Sequence, residues 1–220
     1  MQQKGRLPVA NKYMKITTGI VDIRARIRSK MTILYMSRTP NDTEDDWAFE
    51  TKFDFIHGRA LLSCFTDPRS VIRKAFDALA PGGYVEMQDG IFPMQYVGDE
   101  PVDSDLYKWN QLVTEGSHRS GRPWDNTLYF AQWMREIGFE DVEEKNFYWP
   151  TSPWPKGSYY KKVAAYFQKD ILKGLEGISM KILTRFMGWS EENVRAFLVG
   201  VTRDFKDRSI HACLRMLVTP

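Results

Sequence analysis

The apolar and polar positions between residues 53 and 87 predict a strand, a helix and a second strand in quick succession. Phe53-Asp54-Phe55-Ile56-His57 is a short apolar run of the kind buried in a parallel sheet, with Asp54 its only acid. Val71, Ile72, Ala75, Phe76 and Leu79 then recur at helical spacing and form one apolar stripe. Asp67 suits the N-cap of that helix and Pro68 its first position. Pro81-Gly82-Gly83 stops it, and residues 84–87 read as the next strand. Strand, helix and strand joined by a tight turn predict a right-handed parallel unit.

Beyond that unit the pattern turns largely helical. Residues 88–101 read as a loop and 103–118 as a helix with Leu106, Trp109, Asn110 and Val113 on one side. After a basic turn at 119–123, Asn126 caps a helix that runs to Ile137, and Gly138 sits where a C-terminal glycine belongs. Residues 142–149 read as a strand, and three prolines break the chain between 150 and 157. Helices are predicted over 159–172, 176–187 and 191–205, the last capped by Ser190, before a final strand at 210–218. At the other end, Ile16, Ile20, Ile23 and Ile27 have helix-like spacing within residues 15–37, and residues 31–36 suit a short buried strand. The expected organisation is a degenerate N-terminal segment, 1–40, and one domain, 41–220.

Composition narrows the partners. The 220 residues suffice for a sizeable core, and an aromatic share of 14% points to a thick aromatic core or an aromatic-lined pocket. A net charge of +3 is too small to argue for nucleic acid. The basic run at 24–30 reads as a solvated helix face, with a basic arm as the alternative. Cys64 and Cys213 lie far apart with no CxxC, so neither a disulfide framework nor a metal site can be read from them. No apolar run reaches membrane-spanning length, and the polar, basic start has no apolar core of a signal peptide. These features predict a cytoplasmic protein, or a nuclear one by diffusion, with no membrane partner.

In an open parallel sheet, ligands bind outside the carboxyl ends of the strands. The acidic loop Asn41-Asp42-Thr43-Glu44-Asp45-Asp46-Trp47 precedes the first clear strand. Asp42 there can accept the amino group of an adenine, or the loop can be a plain solvated one. His118, at a helix end beside Arg119, is the best candidate for a general base, with a surface histidine as the alternative. His57 ends a buried strand, as a core residue or at a cofactor floor, and His211 reads as structural. Arg119 and Arg122 can pair with an acidic substrate group or lie exposed in their turn. Trp124, Trp149 and Trp154 can stack on a flat substrate, although core packing suits at least two of them.

Three segments in order carry a family resemblance: Asp-Thr-Glu-Asp-Asp-Trp-Ala-Phe from Asp42, Phe-Asp-Phe-Ile-His-Gly-Arg from Phe53, and Leu-Ala-Pro-Gly-Gly-Tyr-Val-Glu-Met-Gln-Asp from Leu79. Together they resemble the fungal class I S-adenosylmethionine-dependent methyltransferases that include regulators and tailoring enzymes of secondary metabolism. The resemblance implies an α/β, Rossmann-like methyltransferase core with a truncated N-terminal half and added helices. It implies S-adenosylmethionine as cofactor, with Asp42 and Thr43 at the adenine and the strand end carrying His57 and Arg59 beneath the methionine part. Glu86 and Gln88 would face the substrate, making Glu86 and His118 the catalytic candidates.

The family opens with a strand and a GxGxG loop, followed by a second strand ending in an acid for the ribose. This sequence contains no GxG, and Thr17-Thr18-Gly19-Ile20 resembles at most a remnant of the loop. Asp22 follows Gly19 too closely to be the ribose acid, and the interval to Asp42 reads as too short for a full helix and strand. The expected sheet therefore lacks one or two strands on that side, with an apolar edge covered by a protein partner or a second copy. Two functions follow from the resemblance. One is methylation of a small aromatic or polyketide-like molecule. The other is a degenerate accessory or regulatory protein that steers a pathway or a partner enzyme without the cofactor.

Overall fold

The computed structural model describes residues 13–17, 33–35, 44–47 and 49–220. One mixed sheet runs in the order β2-β1-β3-β4-β6-β5. Its strands are β1 (Tyr13–Thr17), β2 (Ile33–Tyr35), β3 (Phe53–Arg59), β4 (Leu79–Tyr96), β5 (Lys145–Pro150) and β6 (Ala212–Thr219). Neighbours from β2 to β4 pair in parallel, whereas β6 is antiparallel to both β4 and β5. The helices are α1 (Pro68–Ala78), α2 (Asp105–Arg119), α3 (Phe130–Ile137), α4 (Ser158–Lys181) and α5 (Glu191–Lys206). The α/β class expected from the sequence is the one observed.

The N-terminal region departs from its reading in part. Residues 15–17, expected to start a helix, belong to β1, which lies beside β3 with Thr17 opposite Arg59. The short strand expected at 31–36 is β2, parallel to β1 at the sheet edge. Parallel neighbours need a crossover of a dozen or more residues. The stretch 18–32 is long enough for one, so the interval does hold a second strand. The positions Ile20, Ile23 and Ile27 lie outside the described residues.

Two other differences have clear causes. The loop expected at 88–101 is strand as far as Tyr96, because β6 supplies an antiparallel partner from Met87↔Thr219 to Tyr96↔Ala212, with an irregularity between Ile91 and Gln95. Helices expected over 159–172 and 176–187 merge into α4 and one wide turn, Ile182–Phe186. Buried Ala164, Phe167, Ile171, Leu175 and Ser179 continue one stripe along α4, so packing carries it through Gly174 and Gly177.

Two cores flank the sheet. Under α1 and α3, Ile56 and Val85 pack with Val71, Ile72 and Met134. Under α2, α4 and α5, Trp109, Val113, Leu183, Val194 and Phe205 form a larger, more aromatic core with Leu214 and Met216 of β6.

Candidate functional site

Alternation along β3 puts His57 and Arg59 on the same face, and parallel pairing sets them opposite Glu86 and Gln88 of β4. The buried His57 Nε2 lies 3.4 Å from Glu86 Oε1, and the Gln88 amide donates to the same oxygen at 2.7 Å. Arg59, Glu86 and Gln88 line a groove of about 360 Å³, which β5 and β6 complete with Lys145, Phe147, Trp149, Met216 and Val218. That volume lies within the few hundred cubic ångströms typical of small-molecule sites. Asp170 of α4 is near enough for Arg59 to act on it: burial pushes its carboxyl up, while Lys173 and Arg59 oppose that rise.

The chain leaves β3 through an unusual loop. Ala60 and Ser63 hold left-handed backbone, with φ of 53° and 62°. Asp89, enclosed at the carboxyl end of the parallel part of β4, accepts the Leu61 N–H at 2.7 Å and the Gly90 N–H at 2.8 Å, and the Leu62 N–H also bonds to it. Burial pushes its pKa up to about 7, against the pull of those backbone donors. From the far side, Arg122 donates to the carbonyls of Ser63 at 3.2 Å and Cys64 at 2.8 Å.

The acidic loop is fastened to the start of α1. Glu44 accepts the N–H groups of Thr66 and Asp67, each at 2.8 Å, and the Thr66 hydroxyl at 2.9 Å. Lys74 donates to the carbonyls of Glu44 and Asp45. A carboxylate at a helix N-terminus meets both unpaired N–H groups and the positive end of the dipole. Asp42 and Thr43 lie outside the described residues.

The structure thus gathers His57, Arg59 and Glu86 on one face and places His118 elsewhere. His118 is half exposed at the end of α2, its Nε2 3.2 Å from Asp125 Oδ2, and it does not line the groove. Arg119 pairs with Glu115, and Arg122 is occupied by backbone carbonyls rather than open to a substrate. Trp124 is buried edge-on to Phe92, Trp154 stacks on His211 with ring centroids 4.6 Å apart, and only Trp149 reaches the groove. Among the described residues, no three His, Cys, Asp or Glu side chains form a metal site, and no helix is long and apolar enough to cross a membrane.

Neither Glu44 nor Asp89 is among the site residues that the sequence pattern marks. Glu44 looked like one acid among several. Asp89 did carry a signal, since an acid closing an apolar strand with no cation beside it has only backbone N–H groups to satisfy it.

Residues 7–144 match the family model described as a methyltransferase domain. A probable methyltransferase of Emericella nidulans is 30% identical over 172 residues, covering 78% of this chain and 54% of that protein. A secondary metabolism regulator of Cochliobolus heterostrophus is 27% identical over 212 residues, covering 94% of this chain and 68% of that protein. The chain spans about half the length of the first curated relatives it matches. Among solved structures, a Haemonchus contortus phosphoethanolamine N-methyltransferase bound to phosphomonomethylethanolamine and S-adenosylhomocysteine aligns at 16% identity and a TM-score of 0.39, covering 79% of this chain and 34% of that one.

Proposed function

The chain belongs to the methyltransferase-domain family of class I fold, with relatives in fungal secondary metabolism, and we propose that it transfers a methyl group from S-adenosylmethionine to a small aromatic or polyketide-like molecule. The observation that carries this reading is the convergence of Arg59, Glu86 and Gln88 on one groove at the carboxyl end of β3 and of the part of β4 that pairs with it in parallel. The Arg59 guanidinium fits the amino-acid end of the cofactor, whose carboxylate it can hold. Asp42 and Thr43 are proposed for the adenine. The residues after β2 in sequence, Met36-Ser37-Arg38, include no acid to match the one that the family uses for the ribose.

When bound, the cofactor supplies an electrophilic methyl group. The protein's share is to hold the nucleophile in line and, for an oxygen nucleophile, to take its proton. Phe147, Trp149 and Met216 give the groove an apolar side for a flat substrate. Between the two proton acceptors read from the sequence, the geometry favours Glu86. It lines the groove with His57 and Gln88 on its carboxylate, whereas His118 stands outside the lining beside Asp125.

An accessory protein that does not use the cofactor is the second reading, favoured by the missing GxG and ribose acid. Calorimetric titration with S-adenosylmethionine and S-adenosylhomocysteine separates the two. Micromolar binding, weakened about tenfold or more by Arg59→Ala, is the expected result. No binding by the well-folded protein overturns the first reading and turns attention to a partner chain or a second copy.

A further inference from the structure

We infer that Asp89 and Arg122 are positioning residues: from opposite sides they clamp the 60–64 loop in its left-handed course and so set Arg59 at the groove, a role that rests on the cofactor reading above.

The loop begins directly after Arg59 and must reach the start of α1 at Pro68. Left-handed backbone is uncommon for residues other than glycine. Ala60 and Ser63 both adopt it, at φ of 53° and 62°. Such conformations persist where the surroundings over-determine them, and they gather at functional sites. Here the surroundings can be named. On the inner side, both Asp89 oxygens are used: Oδ2 accepts the Leu61 N–H at 2.7 Å, and Oδ1 accepts the Gly90 N–H at 2.8 Å. An ionised carboxylate offers strong acceptors at both places, whereas a protonated acid accepts only weakly through its hydroxyl oxygen and an amide carries a donor on one side. On the outer side, one Arg122 guanidinium nitrogen donates to two successive carbonyls, Ser63 at 3.2 Å and Cys64 at 2.8 Å, and a second reaches the Thr66 hydroxyl at 3.4 Å.

The clamp is itself held. Arg122 belongs to the turn after α2, where its N–H donates to the Ser117 carbonyl at 3.2 Å. Trp124, two residues on, donates its N–H to Ser117 Oγ at 3.1 Å and accepts the Phe92 N–H of β4 at 3.4 Å. The loop is therefore tied to β4 and to the end of α2 together. A shift in either would be passed to Ala60, whose N–H bonds the Gln88 carbonyl at 3.0 Å, and hence to neighbouring Arg59.

The test compares Asp89→Asn, Arg122→Ala and Arg122→Lys with the natural chain by hydrogen exchange and by S-adenosylhomocysteine titration. Asp89→Asn should speed exchange in residues 60–66 by about tenfold or more, leave α5 unchanged, and weaken S-adenosylhomocysteine about tenfold. Arg122→Ala, at a less buried position, should do the same in a protein that folds normally, so it decides the matter if Asp89→Asn does not fold. Arg122→Lys keeps one cationic donor and should recover much of the lost affinity, which a purely steric role would not do. Unchanged exchange in 60–66 overturns the clamp. Faster exchange with unchanged affinity overturns the positioning of Arg59. If the natural chain binds no S-adenosylhomocysteine, the cofactor reading falls, and the exchange result alone upholds or overturns the clamp.

Discussion

Under α2, α4 and α5, Trp109, Val113, Leu183, Val194 and Phe205 are fully buried in a mainly apolar core. At the ends of β3 and β4, the enclosed groups include the Asp89 carboxylate and the His57 imidazole, beside two left-handed residues. The first region is assembled by area removed from water, which is non-directional and tolerant. The second is assembled by hydrogen bonds that must each be made, because a buried polar group left unpaired costs more than a made bond returns. The sheet joins the two. Apart from Met216 and Trp149, which serve both, residues that stabilise the molecule are thus separated from residues that shape the groove, and substitutions should sort accordingly.

The largest expected effect falls in the apolar region. Trp109 is fully buried between Phe92 and Phe205, with its indole N–H on Ser179 Oγ at 2.8 Å. Trp109→Ala should destabilise the protein by about 3–5 kcal/mol, the range for deleting a buried aromatic. Urea unfolding measures this. The sharper half of the prediction is that cofactor affinity per folded molecule stays the same, and a proportionate loss of affinity would erase the distinction between the regions.

Next comes the pH dependence that Asp89 imposes. Its folded pKa is raised from 3.8 to about 7 by burial, so folding favours the protonated acid. Between those two values the native state holds a proton that the unfolded chain has released, and stability falls as pH rises. The cost is absent below the lower value and complete above the higher one, on the order of 4 kcal/mol over the whole window. The residues walling the small cavity beside Asp89, among them Leu61, Ser63, Asn126 and Thr127, are not ionisable, so no neighbour there masks the titration. Unfolding free energies at pH 5 and pH 8 should differ in the natural chain and converge in Asp89→Asn. The local clamp runs the other way, since it needs the ionised form, and the loop should loosen as pH falls while the whole molecule gains stability.

A third substitution crosses the boundary. A Cβ on Gly58 would lie 2.6 Å from Met87 Sδ and 2.8 Å from Leu61 Cδ1, both in the core beneath α1, and Leu61 belongs to the loop itself. Gly58→Ala should cost about 1–3 kcal/mol by overpacking. Unlike Trp109→Ala, it should also weaken S-adenosylhomocysteine, because its two bonded neighbours are His57 and Arg59.

Much of this could be read from the chain, and the exceptions share a cause. Residues 81–83, expected as the turn that stops α1, lie within β4, which follows α1 directly at Leu79, whereas the start of α1 was marked by Asp67-Pro68 and that of α5 by Ser190. Those signals are local. The extension of β4 to Tyr96 was invisible because its partner, β6, lies more than a hundred residues later. The same limit applies to the site. Phe53-Asp54-Phe55-Ile56-His57-Gly58-Arg59 announced the strand, but the pairing of His57 with Glu86 depends on register. Arg122 looked like an exposed turn residue because its partners, Ser63 and Cys64, are far off in sequence.

The smallest effect gives the cleanest comparison, because the same device occurs in both regions. Asp67 accepts the Ser70 N–H at 3.0 Å at the start of α1, and Ser190 accepts the Asn193 N–H at 3.1 Å at the start of α5. Loss of either cap to alanine should cost about 1 kcal/mol, measured as similar shifts in unfolding midpoint. Their effects on the groove should differ. The Asp67 carboxylate fixes the first turn of α1, where the Thr66 and Asp67 N–H groups, kept in the alanine variant but less firmly placed, hold Glu44 and through it the acidic loop that carries Asp42. Asp67→Ala should therefore weaken S-adenosylhomocysteine severalfold, while Ser190→Ala leaves it untouched. Equal effects on affinity would mean that binding follows stability alone, and the polar fastening around α1 would then be ordinary helix capping.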